Sequence, residues 1–136
     1  MLPLPAVAPF DRAGELLRPD GARLAYRVRE PARPGLAPPV LLLHGLASNL
    51  TRFEEFAEQT ALADRHALIR VDLRGHGESP TTGPIGLERW CDDLAALLAH
   101  EGLGRAVLVG HSLGAQVALH FAARHPKATQ ALALID

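Results

Sequence analysis

Residues 108–116 read LVGHSLGAQ, in which a single serine stands between two glycines where an apolar run meets a helix-like run. Gly110 and Gly114 lie two positions on either side of Ser112, which matches the pattern G-x-S-x-G. A tight turn between a buried strand and a helix needs small neighbours, because larger side chains would hold the two elements apart. The pattern therefore predicts a nucleophile elbow that projects the Ser112 hydroxyl clear of a sheet and aims the first helical amides at an oxyanion.

Cofactor binding is the main alternative for a glycine-flanked turn, since phosphate-binding loops have similar composition. Ala115 and Gln116 stand where a Walker loop requires Lys and Ser/Thr, and G-x-G-x-x-G does not occur in the chain. His120 and His125 lack the H-E-x-x-H spacing of zinc enzymes, and a single cysteine supplies no metal cluster. We therefore expect no cofactor and no metal.

Strand-like and helix-like segments alternate along the chain on both sides of this turn. Short apolar runs without a polar face predict parallel strands covered by helices at 40–43, 67–71, 106–109 and 131–135. Helices are predicted from a Thr51/Glu54 capping box, from an apolar stripe that ends at Gly102, and over 113–124. An N-terminal antiparallel hairpin is predicted from 15–17 and 23–29 around Pro19-Asp20-Gly21. The fold class is therefore α/β, with a mostly parallel sheet and helices on both faces.

Length and charge limit the domain organisation and the partners. The chain has 136 residues, and we predict a loose N-terminal arm over 1–14 followed by one domain over 15–136. Fourteen Lys plus Arg against 15 Asp plus Glu, with one lysine, form no basic block for nucleic acid or anionic membranes. No apolar stretch approaches the roughly 18 residues that span a bilayer. We expect small uncharged partners, no nucleic acid, no membrane and a cytoplasmic location.

Two further segments, LLLHGL at 41–46 and DLRGHGES at 72–79, precede the GHSLG motif. In this order and spacing the three motifs resemble the α/β-hydrolase family. The resemblance covers about residues 15–136, with the core motifs in 39–136, which is the first half of a typical member, and so it implies a truncated α/β-hydrolase fold. It also implies that the strand ending at Leu43 lies beside the strand ending at Val109, where the following loops meet at a topological switch point.

The resemblance assigns roles to residues at these loops. Ser112 would be the catalytic nucleophile, and the backbone N–H groups of Leu46 and Leu113 would form the oxyanion hole. His44 and Gly45 would be structural, with His44 bracing the turn rather than acting as a base. Gly110 and Gly114 would likewise be structural, and His111 would contact a cap or the substrate.

The family places its catalytic acid and histidine after the serine. Only His120 and His125 follow Ser112, within or at the end of the next helix, and we expect both to point away from it. Asp136 is the sole acid after Ser112, at a strand end where a minority of members carry theirs. We therefore expect the sequence to be the N-terminal part of a longer hydrolase that lacks the last strands and the cap. We also expect self-association through the exposed last strand.

Three functions remain open at this point. The first is a serine hydrolase acting on a small carboxylic ester, lactone or related acyl compound. The second is a catalytically inactive fragment or binding domain on the same scaffold. The third is a perhydrolase or C–C bond hydrolase relative, since the same motifs serve those enzymes.

Other reactive side chains are assigned structural roles. Asp92 and Asp93 are adjacent on a helix, so their carboxylates diverge, and Cys91 lies in an apolar helical stripe where it is packed. Within DLRGHGES, we expect Asp72 and Arg74 to hydrogen-bond locally and the glycines to permit the turns.

Overall fold

The computed structural model describes residues 11–80 and 83–136. Of the predicted N-terminal arm over 1–14, residues 1–10 lie outside the described residues. From Asp11 onward the chain is strand β1, Asp11–Leu17, which therefore begins earlier than the predicted Glu15. The reason is tertiary, because the buried Asp11 carboxylate lies 2.7 Å from Arg70 Nη2 and 3.3 Å from Arg29 Nε. The sequence of this polar segment resembles a loop, but these two partners stabilise it as a strand.

Six strands form one sheet in the order β1-β2-β4-β3-β5-β6. Parallel pairing joins β4, β3, β5 and β6, and antiparallel pairing is confined to the β1–β2 hairpin and the contact of β2 with β4. The predicted mostly parallel sheet with an N-terminal hairpin is therefore confirmed. The remaining strands are β2 Arg23–Arg29, β3 Val40–Leu43, β4 Leu68–Val71, β5 Ala106–His111 and β6 Thr129–Ile135.

The connections between the parallel strands are helical. Within the described residues the α-helices are α1 Glu54–Gln59, α2 Leu87–His100 and α3 Leu113–Arg124, with 3₁₀ segments Leu50–Phe53, Ala61–Asp64 and Pro126–Ala128. The turn after α2 contains Gly102 at φ 68°, as its predicted role in ending the helix requires. In the part of the chain that is described, no helix has both the length and the apolarity to cross a bilayer.

The start of the first helical segment differs from the prediction. Asn49, not Thr51, is the N-cap of the 3₁₀ segment, and its side chain accepts a hydrogen bond from the Thr51 amide. Glu54 does not complete a capping box, because its carboxylate is drawn to Arg70 Nη1 at 3.1 Å. The predicted Thr51/Glu54 box is therefore wrong, and an ion pair across the fold replaces it.

Apolar side chains fill both faces of the sheet, as predicted for a sheet covered on two sides. One cluster packs α2 and α3 against one face, and a smaller cluster packs the 3₁₀ segment and α1 against the other. Alternate residues of β3 supply both clusters, Leu41 and Leu43 to the first and Val40 and Leu42 to the second. The central strand is thus buried on both faces, which fixes its carboxyl end between the helices.

Candidate active site

The elbow is a single residue between a strand and a helix. β5 ends at His111 and α3 begins at Leu113, so Ser112 alone makes the turn, with φ 54° and ψ −113°. Apart from glycine, only Ser112 and Ala47 have positive φ among the described residues. Such a conformation costs about 1 kcal/mol or more and is found mainly where function requires it. The Ser112 side chain is exposed.

The flanking glycines sit where no side chain fits. A Cβ on Gly110 would lie 2.2 Å from the Gly114 carbonyl oxygen, and one on Gly114 would lie 2.2 Å from the Leu43 carbonyl oxygen. Both obstacles are backbone atoms, which cannot rotate away as a side chain could. Glycine at these positions allows α3 to pack directly on β3 and β5.

The loops after β3 and β5 meet at the carboxyl edge of the sheet. β3 lies between β4 and β5, with Leu43 opposite Gly110, while the chain leaves β3 towards β4 and leaves β5 towards β6. This is the topological switch point at which open α/β sheets bind ligands. At the contact, a Cβ on Gly45 would lie 3.5 Å from Ser112 Cβ and 3.4 Å from His111 Nδ1.

The two backbone amides that the resemblance assigns to the oxyanion hole lie in the loops that follow β3 and β5. The Leu113 amide lies in the first turn of α3, where an N–H has no intrahelical acceptor, and Leu46 follows Gly45 in the facing loop. Neither amide donates a hydrogen bond to another residue in the ranges 11–80 and 83–136. By contrast, the Ser112 amide donates to the Ile135 carbonyl at 2.9 Å, which ties the elbow to the end of β6. The two amides that the resemblance assigns to the oxyanion hole therefore have no acceptor among the described residues.

His44 is a buried link between two loops. Its Nε2 accepts a hydrogen bond from the Leu73 amide at 3.0 Å, so its proton is on Nδ1, which donates to the Gly45 carbonyl at 2.7 Å. Burial lowers the pKa of His44 from 6.5 to about 4, the adjacent His76 adding to the effect. With both ring nitrogens engaged by backbone groups, the imidazole is neutral and has no free nitrogen for Ser112.

None of the seven histidines donates to or accepts from the Ser112 hydroxyl, and all seven lie within the described ranges. His76 is enclosed between the rings of His44 and Trp90, and His125 stacks on Phe121 at a centroid distance of 4.8 Å. His66 is engaged with the Pro38 carbonyl. Within the described residues, the Ser112 hydroxyl therefore has no histidine as a hydrogen-bond partner.

The segment 72–79 links three parts of the molecule. Asp72 is fully buried, and its carboxylate accepts hydrogen bonds from the amides of Leu50 at 2.7 Å and Glu78 at 2.9 Å. The prediction that the Arg74 side chain hydrogen-bonds locally is wrong. It forms a bidentate pair with Asp93 of α2, both contacts at 2.8 Å, and a further pair with Asp20 of the hairpin turn. Sequence reasoning missed these long-range partners, because the acids lie far away in the chain.

The other reactive side chains are structural. Asp93 points into the Arg74 pair while Asp92 reaches Arg124 on α3, so the two carboxylates diverge. Cys91 is fully buried and burial raises the pKa of its thiol to about 11, which keeps it protonated and unreactive. Over the described ranges, no three His, Cys, Asp or Glu side chains converge on a point that could hold a metal ion.

Two clefts adjoin the elbow. One of about 380 Å³ contains Ser112 together with Gln116, Leu134 and Asp136. The other, of about 540 Å³, lies between α1 and the end of β5 and is lined by Phe53, Phe56 and His111. Ile135 lines both, so the clefts are neighbours on either side of the elbow. The sequence did not predict the contribution of α1 to this surface.

The strand order and the elbow at the switch point define an α/β-hydrolase scaffold. Residues 38–136 match the family model described as the alpha/beta hydrolase fold. The chain belongs to the α/β-hydrolase family, which confirms the resemblance of its three motifs.

Individual relatives agree with this assignment. The chain is 39% identical over 121 residues to 2-(acetamidomethylene)succinate hydrolase of Mesorhizobium japonicum, covering 88% of this chain and 41% of the relative. It is 48% identical over 97 residues to lipase LipV of Mycobacterium tuberculosis, covering 71% and 36%. A solved α/β hydrolase from Novosphingobium aromaticivorans superposes with a TM-score of 0.80 at 33% identity, covering 92% and 44%. The chain thus spans about two-fifths of the length of these relatives.

Proposed function

We propose that the protein is a serine hydrolase in which Ser112 attacks the carbonyl carbon of a small carboxylic ester, lactone or related acyl compound. The observation that carries this proposal is the exposed Ser112, held at φ 54° between β5 and α3. A non-glycine residue in this conformation at a switch point is best explained by a need to present its hydroxyl to a substrate.

The proposed reaction is acyl transfer through a covalent intermediate. Ser112 Oγ adds to the carbonyl carbon and its proton passes to a base, which gives a tetrahedral intermediate with a negative oxygen. The amides of Leu46 and Leu113 bind that oxygen, and loss of the alcohol leaves an acyl-enzyme that water hydrolyses. No cofactor takes part in this scheme.

The base and the acid of the triad are proposed to come from residues outside this sequence. None of the seven histidines hydrogen-bonds to the Ser112 hydroxyl in the described structure, and the relatives are more than twice as long. Asp136 borders the Ser112 cleft, so it stays a candidate for the acid. The activity is therefore proposed for the whole protein.

The partner in this proposal is a small acyl compound, handled in the cytoplasm without nucleic acid or membrane. The cleft of about 540 Å³ beside His111 has two phenylalanines in its wall, Phe53 and Phe56, which suit an apolar substituent on the acyl or alcohol side. Relatives named as a lipase and as a hydrolase of an acetamido compound are consistent with acyl chemistry.

Covalent labelling tests the proposal. The full-length gene product should react with a fluorophosphonate and hydrolyse p-nitrophenyl acetate, and Ser112→Ala should abolish labelling and lower turnover roughly 10⁴-fold or more. Ser112→Ala also gives the background, because surface imidazoles hydrolyse activated esters slowly. The isolated 136-residue chain should not be labelled. Labelling that persists in Ser112→Ala would refute the assignment of the nucleophile.

A catalytically silent domain is the second candidate, and the absence of a base beside Ser112 in the described residues favours it. It would be supported if the full-length product, folded by near-UV circular dichroism, neither reacts with the fluorophosphonate nor hydrolyses the ester.

A further inference from the structure

The loop that carries the Leu46 amide is anchored at both ends by two consecutive residues that follow β4. We call residues 44–50 the amide loop. At its start, the Leu73 amide donates to His44 Nε2 at 3.0 Å, and at its end the Leu50 amide donates to Asp72 Oδ1 at 2.7 Å. Between the anchors the loop turns through Ala47 at φ 58°. The Leu46 amide is therefore held between two points that both belong to the β4 end.

Asp72 is itself held firmly. Its amide donates to the Ala25 carbonyl at 2.9 Å, and its second carboxylate oxygen accepts from the Glu78 amide at 2.9 Å. A Cβ on Gly77 would lie 2.2 Å from Oδ2, so the adjacent turn closes directly over the carboxylate. Burial raises the pKa of Asp72, while the two backbone N–H donors act in the opposite direction. The carboxylate thus has little freedom to rotate away from Leu50.

The elbow does not depend on this anchor. The Ser112 amide is bound to Ile135, and the Ser112 carbonyl accepts from the amides of Ala115 and Gln116 at 2.9 and 3.3 Å. Among the described residues, the elbow approaches the amide loop at Gly45 and at the His44 carbonyl, both at the anchored start of the loop and not at its Leu50 end. A shift of the amide loop would therefore move the Leu46 amide relative to the Ser112 hydroxyl rather than carry both together.

We propose that Asp72 is a positioning residue: by holding the Leu50 end of the amide loop, its carboxylate sets the distance between the Leu46 N–H and the reacting carbonyl at Ser112. The inference rests on the proposed function, since it gives the loop a role in binding the oxyanion. Oxyanion stabilisation is steeply dependent on geometry, and loss of one donor costs about 10²- to 10³-fold in kcat. A displaced donor should cost about 10- to 100-fold.

Asp72→Asn is the direct test, because it keeps the side-chain shape and replaces one acceptor oxygen with an NH₂ that cannot accept. In the full-length protein we expect kcat for p-nitrophenyl acetate to fall about 10- to 100-fold with KM changed less than about threefold. Asp92→Asn on the surface of α2 is the matched control, with the same chemical change and no contact to the amide loop. It should leave both constants unchanged.

Active-site titration separates positioning from folding. If Asp72→Asn only unfolds part of the sample, kcat per fluorophosphonate-labelled serine will equal that of the parent, and the proposal is then wrong. If kcat per labelled serine is reduced, the proposal is supported. Should Asp72→Asn fail to fold at all, Asp72→Ser, which keeps one acceptor oxygen and adds no bulk, replaces it with the same two outcomes. Activity that is independent of Ser112 would instead refute the proposed function, whatever Asp72 does.

Discussion

The contact between α3 and β3 predicts an unusual response to a helix-favouring substitution. Gly114 lies in the first turn of α3, and alanine is preferred to glycine in helix interiors by about 1 kcal/mol. The same alanine would place its Cβ 2.2 Å from the Leu43 carbonyl oxygen and 2.7 Å from that of His44. Ordinary carbon–oxygen contacts are about 3.3 Å, so α3 would have to move away from β3 by about an ångström.

Such a movement loosens the packing of Val117, Ala118 and Phe121, which are fully buried behind Gly114. Overpacking of a well-ordered core costs about 1–3 kcal/mol, and a collision with a central strand belongs at the upper end or beyond. After subtraction of the gain in helix propensity, we expect Gly114→Ala to lower the free energy of unfolding by roughly 2 kcal/mol or more.

Urea unfolding followed by tryptophan fluorescence measures this difference, since Trp90 is buried in the same core. Gly104→Ala is the matched control, because its Cβ would meet nothing within 4 Å. That variant should be neutral or slightly stabilising. Ser112→Ala should change stability by no more than about 0.5 kcal/mol, as its exposed hydroxyl supports no packing. A Gly114→Ala protein as stable as the parent would show that the close approach of helix and strand is not required.

Three further predictions concern the buried polar groups and the open strand. The fold lowers the pKa of His44 from 6.5 to about 4. The neutral imidazole's contribution to the free energy of unfolding is therefore complete above pH 6.5 and is lost as the pH falls through 4. Between pH 6.5 and 4, the free energy of unfolding of His44→Gln should therefore fall by about 3 kcal/mol less than that of the parent, as measured by urea unfolding. Arg74→Leu should lower the free energy of unfolding by about 3 kcal/mol in the same assay, because the buried Asp93 carboxylate loses its bidentate ion pair. Among residues 11–80 and 83–136, β6 pairs only with β5, so sedimentation should show concentration-dependent association that Ala131→Lys reduces.

Each of these predictions has a matched control or an opposing outcome. A His44→Gln protein that loses stability in acid as steeply as the parent would contradict the role given to His44. Arg124→Ala breaks the exposed pair with Asp92 and should cost less than about 1 kcal/mol, so a loss as large as that of Arg74→Leu would be unexpected. A single monomeric species at high concentration would contradict association through β6.

The sequence alone determined the features that depend on local geometry. The glycine spacing around Ser112 predicts a strand-turn-helix junction, because only glycine permits the close approach that such a turn creates. The apolar runs at β3 and β5 and the stripe of α2 follow from periodicity, which a residue's neighbours in the chain are sufficient to define. Fold class and elbow could therefore be predicted, whereas the switch point was predicted only through the resemblance of the three motifs to a known family.

The tertiary structure alone decided which polar side chains meet. Asp11 and Arg70 are far apart in the chain, yet their buried ion pair extends β1 beyond its predicted start. The sequence predicts only local hydrogen bonds for Asp72, but its carboxylate also accepts one from the Leu50 amide on a different connection. Charged residues in a sequence carry no record of their partners, because the partner is chosen by burial and distance in the folded chain rather than by spacing along it. The amino acids therefore predicted where the serine is presented, and only packing determined how the loop facing it is held.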